Sequence, residues 1–172
     1  MGSRSSGRVA DGRQGSAKSS NDPIGFPRAA LLLGYCALEA HINNVAADFA
    51  ERSELTILEQ SILQERSVDL NNGQFELTNT LKMFRLEDRF EFLYRRFQKQ
   101  PLNKADAWWG FLKAGLDIRN AITHPHTPRT VTEKEVTDSL TAVLEAIDVL
   151  FQAVFRRPYP AKGRRLDSLL EI

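Results

Sequence analysis

The sequence predicts an all-α protein, an antiparallel bundle of about five helices with a disordered N-terminal tail. Apolar residues recur three and four positions apart through several long segments, which is the period of an amphipathic helix. We find no segment with sustained strand alternation, and no internal repeat. A chain of 172 residues, 42% apolar and 26% charged, is typical of one soluble domain. We expect the bundle to occupy residues 28–157, between a tail of residues 1–27 and a basic tail of residues 158–172.

The first two helices follow a segment that lacks large apolar side chains. Residues 1–27 are rich in serine, glycine and arginine, so they bury too little surface to offset the entropy of ordering. The first helix begins near Arg28. Its predicted buried stripe consists of Leu31, Tyr35, Leu38, Ile42, Val45 and Phe49. A second helix is predicted over residues 53–65, because Thr56 and Glu59 stand in capping-box register.

The third and fourth helices are separated from the first two by a turn at residues 71–73, Asn-Asn-Gly. Residues 77–100 combine helical apolar spacing with many charges, which predicts a strongly charged third helix. The fourth helix is expected over residues 106–122. It ends near His124, because Pro125 disfavours helical geometry in the residue before it.

The fifth helix has the clearest start in the sequence. Thr132 and Glu135 form a second capping box, and valines at 131 and 136 are placed to pack against each other across it. Apolar residues then recur at helical spacing as far as Arg157. Five helices of this kind, joined by short links, predict the antiparallel bundle.

The charges are distributed unevenly along the chain. Residues 1–28 carry five basic and two acidic groups, and residues 156–172 carry the same numbers. The remaining residues, 29–155, carry thirteen basic and eighteen acidic groups. An acidic body argues against uniform coating by nucleic acid. The basic tails either hold a polyanion through phosphate contacts or simply keep the protein soluble.

Several common kinds of site are excluded. Cys36 is the only cysteine, which rules out an internal disulfide and a multi-cysteine zinc site. His41, His124 and His126 offer no recognised metal-ligand spacing, and no phosphate-binding loop or nucleophile motif is present. We therefore expect no metal and no other cofactor. The longest uncharged apolar stretch, residues 29–38, is too short to cross a bilayer, so we expect a cytoplasmic protein with no membrane partner.

A short motif at the end of the fourth helix carries the functional prediction. Arg119 stands five positions before His124, and the polar residue Asn120 follows the arginine. This pattern resembles the Arg-x4-6-His signature of HEPN-domain proteins, which are small helical bundles, many of them dimeric ribonucleases. Members of that family often carry polar residues inside the first helix. Glu39 and Asn43 match this feature, since residues four apart on a helix can point at one partner.

The resemblance implies metal-independent cleavage of RNA, in which a 2'-hydroxyl attacks the adjacent phosphate. His124 would serve as general base or acid, because an imidazole with a pKa of ~6.5 exchanges protons near neutral pH. Arg119 would stabilise the charge that develops on the phosphorane oxygens. The expected product carries a 2',3'-cyclic phosphate, and DNA is not a substrate because it lacks the attacking hydroxyl.

The resemblance also implies a homodimer. One arginine and one histidine form only part of an acid–base site, and the family completes the site by pairing two copies about a twofold axis. Trp108, Trp109 and Phe111 cannot all face one core from one helix. Either at least one of them lies in the dimer interface, or all three pack within the monomer.

The identity of the acting imidazole and of any protein partner stays open. His126 stands at Arg-x6-His spacing, so it is an alternative to His124 or a second proton carrier. HEPN toxins that pair with nucleotidyltransferase antitoxins have a tyrosine where this chain has His126. Control by tyrosine modification is therefore not implied, although an antitoxin or another regulatory protein remains a candidate partner.

Two classes of function remain in view, and a basic-tailed bundle that binds RNA without cleaving it is a third possibility that differs from the first only by assay. The first is an endoribonuclease acting as a toxin or defence effector, with Arg85, Arg89 and Arg129 as candidates for binding RNA. The second is a non-catalytic dimerisation or interaction module, in which Arg119 forms a surface ion pair and His124 caps a helix C-terminus. A basic groove around Arg119 would favour the first function, and an acidic rim would favour the second.

Overall fold

The computed structural model describes residues 25–125 and 129–164. In this part of the chain the elements are α1 Gly25–Phe49, α2 Ile57–Gln64, β1 Arg66–Asn71, β2 Gln74–Leu81, α3 Leu86–Gln98, α4 Ala107–Thr123, α5 Glu133–Phe155 and a short 3₁₀ helix Lys162–Arg164. The prediction of a mainly helical fold is confirmed, but the prediction that it is purely helical is wrong. The predicted disorder of residues 1–27 is wrong for residues 25–27, which form the first turn of α1, and for residues 1–24 it lies outside the described residues.

Helix α1 supplies one side of the core. All residues of its predicted stripe from Leu31 to Val45 are at most 3% exposed, and Phe49 packs its ring against Phe97 of α3. The hydroxyl of Tyr35 donates a hydrogen bond to the main-chain oxygen of Leu112, 2.7 Å away, and so ties α1 to α4. Both predicted capping boxes are present and start α2 and α5.

A β-hairpin stands where the sequence predicted the start of the third helix. Its two-residue turn is Asn72-Gly73, with φ angles of 50° and 81°, and both lie in the left-handed region that tight hairpin turns require. Leu70 pairs with Phe75, and Val68 pairs with Leu77, so these apolar residues share one face. The prediction of helix from residue 77 is therefore wrong, and α3 begins only at Leu86.

The helices are not all antiparallel to their neighbours. Arg28 of α1 donates to the main-chain oxygen of Arg129, just before α5, and Phe97 of α3 contacts residues at the ends of both α1 and α5. Helices α1 and α5 therefore run in the same direction. Helices α4 and α5 pack closely against each other, and Gly115 lies beside Ser139 where they meet.

The described part of the basic C-terminal segment packs on α5. Asp148 is fully buried and accepts a 2.7 Å hydrogen bond from the main-chain N–H of Tyr159. The same carboxylate pairs with the ammonium of Lys162. Arg156 donates to the oxygens of Phe97 and Gln98. Among the described residues of this segment, Arg156 and Lys162 are thus held by polar contacts within the fold.

Gly115 permits the close approach of α1, α4 and α5. A Cβ at this position would lie 2.1 Å from the hydroxyl oxygen of Tyr35 and 2.8 Å from the Cβ of Ser139. We expect Gly115→Ala to lower the free energy of unfolding by about 2 kcal/mol, because the helices must separate to admit the methyl group. Urea unfolding followed by circular dichroism measures this change.

Gly110 provides the matched control on the same helix. No atom lies within 4 Å of a Cβ built there, and the position is exposed. We expect Gly110→Ala to raise the free energy of unfolding by about 0.5–1 kcal/mol, because alanine favours the helix. Equal effects of the two substitutions would contradict the packing role of Gly115.

Candidate functional site

A cleft of about 500 Å³ opens between α1, the loop after β2, the start of α3 and the second half of α4. Arg119 and Asn120 of the predicted motif line it, together with Glu39 of α1. Its charged lining residues are Glu39, Glu65, Arg85, Glu87, Arg89, Lys113, Asp117 and Arg119. Four of these are acidic and four are basic, so the cleft is of mixed charge, neither a basic groove nor an acidic rim.

Arg119 projects into this cleft and is held by two neighbours. Its guanidinium lies 3.6 Å from the carboxylate of Glu39 and donates a 3.1 Å hydrogen bond to the side-chain oxygen of Asn120. The side chains of Arg119 and Glu39 remain 34% and 40% exposed, so the pair is screened by solvent and accessible to a ligand. Glu39 therefore lies where it can orient the arginine.

His124 lies at the end of α4 and is not part of the cleft lining. Its main-chain N–H donates to the oxygen of Asn120 at 2.9 Å, its φ of −128° is outside the helical region, and its side chain is exposed. His124 is five positions after Arg119. Helical geometry over that spacing places the two Cα atoms about 140° apart around the axis of α4 and ~7.5 Å apart along it. His126, the alternative imidazole, lies outside the described residues.

Asn43 and Arg89 belong to a polar cluster at the cleft, in which Arg89 is buried, Glu65 is partly buried and Asn43 is exposed. Arg89 is only 4% exposed, and its guanidinium contacts the side-chain oxygen of Asn43 at 2.6 Å and the carboxylate of Glu65 at 3.0 Å. Burial lowers the pKa of Arg89, and the charge of Glu65 partly offsets that effect. Asn43 thus faces Arg89 rather than Arg119, and the Arg89 guanidinium is engaged within the fold.

The other two arginines that we predicted to bind RNA lie in different places. Arg85 is exposed at the edge of the cleft, immediately before α3. Arg129 lies at the start of α5, where its guanidinium pairs with Glu135 at 2.9 Å. Of the three candidates, only Arg85 presents an exposed cation to the cleft.

The sequence did not predict that Lys113, Glu65 and the aromatic residues Phe84 and Tyr35 line the cleft. Lys113 lies on α4, and its charge in the sequence predicted only that this helical position is exposed, not that it lines a cleft. Glu65 caps α2 with a positive φ of 51°, and Phe84 follows the hairpin, so their places depend on elements that the spacing did not predict. Tyr35 forms the floor. Burial raises the pKa of its hydroxyl, and the charge of Asp117 adds to the effect.

His41 lies away from the cleft, in an aromatic cluster. Its ring centroid is 6.3 Å from those of Phe151 and Tyr159, and its Nε2 is buried with no hydrogen-bond partner among the described residues. Burial lowers the pKa of His41 from its usual 6.5. The folded protein therefore binds a proton at this site less readily than the unfolded chain does.

This shift predicts a pH dependence of stability that His41→Phe removes. Between its lowered folded pKa and 6.5, the unfolded state binds more protons, so stability falls as the pH drops through this window. Urea unfolding between about pH 5 and pH 7 should show a weaker pH dependence for His41→Phe than for wild type. The exposed His124, changed to Asn, is the control. An unchanged slope in His41→Phe would contradict the prediction.

Comparisons of the chain with protein-family models, with curated proteins and with solved structures found no match. Within residues 25–125 and 129–164, no group of three or more metal-ligating side chains is placed to hold an ion. None of the described helices combines the length and hydropathy of a membrane span. The geometry around Arg119 is therefore the basis for inferring a function.

Proposed function

We propose that this protein is a metal-independent endoribonuclease of the HEPN type, acting as a homodimer. The observation that carries the proposal is the position of Arg119, which lines an open cleft at the end of a core helix and is oriented by Glu39. His124 is exposed just beyond it. An arginine held this way but still accessible suits a group that stabilises charge on a phosphate.

The chemistry is an internal transesterification. A general base removes the proton of the ribose 2'-hydroxyl, whose oxygen then forms a bond to the adjacent phosphorus. The bond from phosphorus to the 5'-oxygen breaks, and a general acid protonates that oxygen as it leaves. His124 takes the base or acid role, and Arg119 donates hydrogen bonds to the phosphorane oxygens.

A second copy of the chain supplies the remaining group. The angular separation of Arg119 on α4 and His124 just beyond its end favours a site in which Arg119 of one chain works with His124 of the other. Of the three aromatic residues considered for an interface, Trp109 is buried and Trp108 packs against it, whereas Phe111 is 44% exposed. Phe111 is therefore the aromatic residue of α4 that is available to a second copy.

The alternative is a non-catalytic interaction module, and two observations favour it. The cleft has balanced charge rather than the excess of cations expected around a phosphate backbone. In addition, exposed apolar side chains lie on α1 and on the hairpin, at Phe26, Leu33, Leu70 and Phe75. Such residues suit a protein partner, including an antitoxin or another regulator.

An RNA cleavage assay in EDTA separates the two functions. Purified protein is incubated with RNA and with DNA of the same sequence, and product ends are tested for a 2',3'-cyclic phosphate. Size-exclusion chromatography with light scattering gives the oligomeric state. The ribonuclease proposal expects EDTA-resistant cleavage of RNA alone by a dimer. Intact RNA after prolonged incubation with folded dimer would favour the interaction module.

A further inference from the structure

The wall of the cleft opposite α4 is formed by the loop between β2 and α3. Phe84 of this loop is half-buried and lines the cleft, and Met83 beside it is 75% exposed. The ammonium of Lys82 lies 5.1 Å from the centre of the Phe84 ring. The ammonium lies over one face of this partly exposed ring, so a base stacks either on the other face or in place of the exposed lysine side chain. An aromatic ring with a cation nearby is what proteins use to stack an unpaired nucleobase.

The loop that carries this ring is fastened to the fold. The main-chain N–H of Phe84 donates to the carboxylate of Glu65 at 3.4 Å, and Glu65 also pairs with the buried Arg89. The other aromatic residue of the described lining, Tyr35, is 1% exposed and donates its hydroxyl to a main-chain oxygen. Phe84 is therefore the aromatic residue of this cleft whose ring is positioned in advance for a ligand.

The mixed charge of the cleft fits a nucleobase better than a run of phosphates. The edges of bases present both donors and acceptors, which lining carboxylates, cations and the Asn120 amide can satisfy. A phosphate backbone would instead meet four carboxylates. The volume of about 500 Å³ lies within the range of small-ligand sites.

We propose that the cleft takes up one unpaired base of single-stranded RNA, stacked on Phe84, with the attached phosphate directed toward Arg119. The proposal names the substrate class of the site described above and rests on its being an RNA site. It does not require cleavage. Bases within a duplex are paired and stacked, so they cannot enter, and the site selects single-stranded RNA.

The test measures binding with an RNA that cannot be cleaved. A fluorescein-labelled oligonucleotide with 2'-O-methyl riboses lacks the attacking hydroxyl, so one ligand serves all variants. Fluorescence anisotropy in EDTA gives Kd for this strand alone and for the same strand annealed to its complement. The variants are Phe84→Ala, Phe84→Trp and, as an exposed aromatic outside the cleft, Phe75→Ala. A second oligonucleotide carries 2-aminopurine, whose fluorescence is quenched on stacking.

The proposal expects about a tenfold weaker Kd for the single strand in Phe84→Ala, and wild-type affinity in Phe84→Trp and Phe75→Ala. It also expects 2-aminopurine quenching in wild type and Phe84→Trp but not in Phe84→Ala, and weak binding of the duplex. Unchanged affinity in Phe84→Ala, equal binding of duplex and single strand, or no binding by wild type would overturn it. If Phe84→Ala does not fold, absent quenching in wild type and Phe84→Trp would overturn it as well.

Failure of this proposal is distinct from failure of the ribonuclease proposal. Cleavage of unmodified RNA with no loss of affinity in Phe84→Ala would remove the base site and leave the enzyme. Tight, Phe84-dependent binding of the single strand without cleavage of unmodified RNA would retain the base site and remove the enzyme.

Discussion

Replacing Arg119 by alanine is expected to lower kcat for RNA cleavage about a thousandfold, because the phosphorane loses its positioned charged donor. His124→Ala is expected to cause a loss of about 10²–10⁴-fold, the usual contribution of a general acid or base. Single-turnover cleavage of a labelled RNA in EDTA measures both.

The fold should survive these substitutions. The Arg119–Glu39 pair is more than a third exposed, so its loss changes stability little. Thermal unfolding of Arg119→Ala should therefore match wild type. Arg129→Ala is the matched control, since Arg129 is also an exposed, paired arginine but lies outside the cleft. Undiminished cleavage in Arg119→Ala and His124→Ala would remove the ribonuclease proposal.

Mixing these two inactive variants tests whether the site is shared between chains. If Arg119 of one chain acts with His124 of the other, a mixed dimer contains one site with both residues intact. Subunit exchange at equal concentrations should then restore about a quarter of the wild-type rate, since half of the dimers are mixed and each has one working site. If both groups act within one chain, or if one site needs His124 from both chains, no activity returns.

The helices were predictable because their signals are local. The stripe from Leu31 to Val45 has the helical period, and each capping box lies within four residues of sequence. Helix α4 ends where Pro125 requires it to end. These features depend on neighbours along the chain and on no tertiary contact.

The hairpin was missed because two periodicities overlap in the same segment. Leu77, Leu81 and Phe84 have helical spacing, whereas Val68, Leu70, Phe75 and Leu77 alternate around Asn72-Gly73. The turn favours the strands, since Asn-Gly readily adopts the positive φ angles of a two-residue hairpin loop, which pairs the residues on its two sides. Both strands are largely exposed, and their sequences lack the long apolar runs that identify buried strands. Strand is therefore only weakly indicated by the sequence here.

The site was predictable only where its residues share one helix. Arg119 and Asn120 are adjacent, and the cleft contains both. The partners of Arg89 are Glu65 and Asn43, which are 24 and 46 positions away in the sequence. Nothing in the sequence indicates that an arginine on a charged helix is buried. Only the tertiary structure shows that Arg89 is paired within the fold, contrary to its predicted role in RNA binding.

Arg89→Ala is accordingly expected to destabilise the fold by about 2 kcal/mol, because it removes a buried side chain and leaves the partly buried carboxylate of Glu65 without its partner. Arg85→Ala, four residues earlier at the exposed edge of the cleft, should change the free energy of unfolding by less than about 0.5 kcal/mol. Urea unfolding of both variants gives the comparison.

The same pair of variants separates structural from functional charge. Arg85→Ala should weaken binding of single-stranded RNA and reduce its salt dependence, because an exposed cation is lost while the fold is kept. In Arg89→Ala, loss of RNA binding should follow the fraction of unfolded protein. A smaller additional loss is expected if Glu65, without Arg89, no longer holds the main chain of Phe84 in place. Near-equal stabilities of the two variants would show that the contacts of the buried Arg89 with Glu65 and Asn43 contribute nothing to the fold. The ion pair between Arg89 and Glu65 would then not be what holds the loop of Phe84 in place.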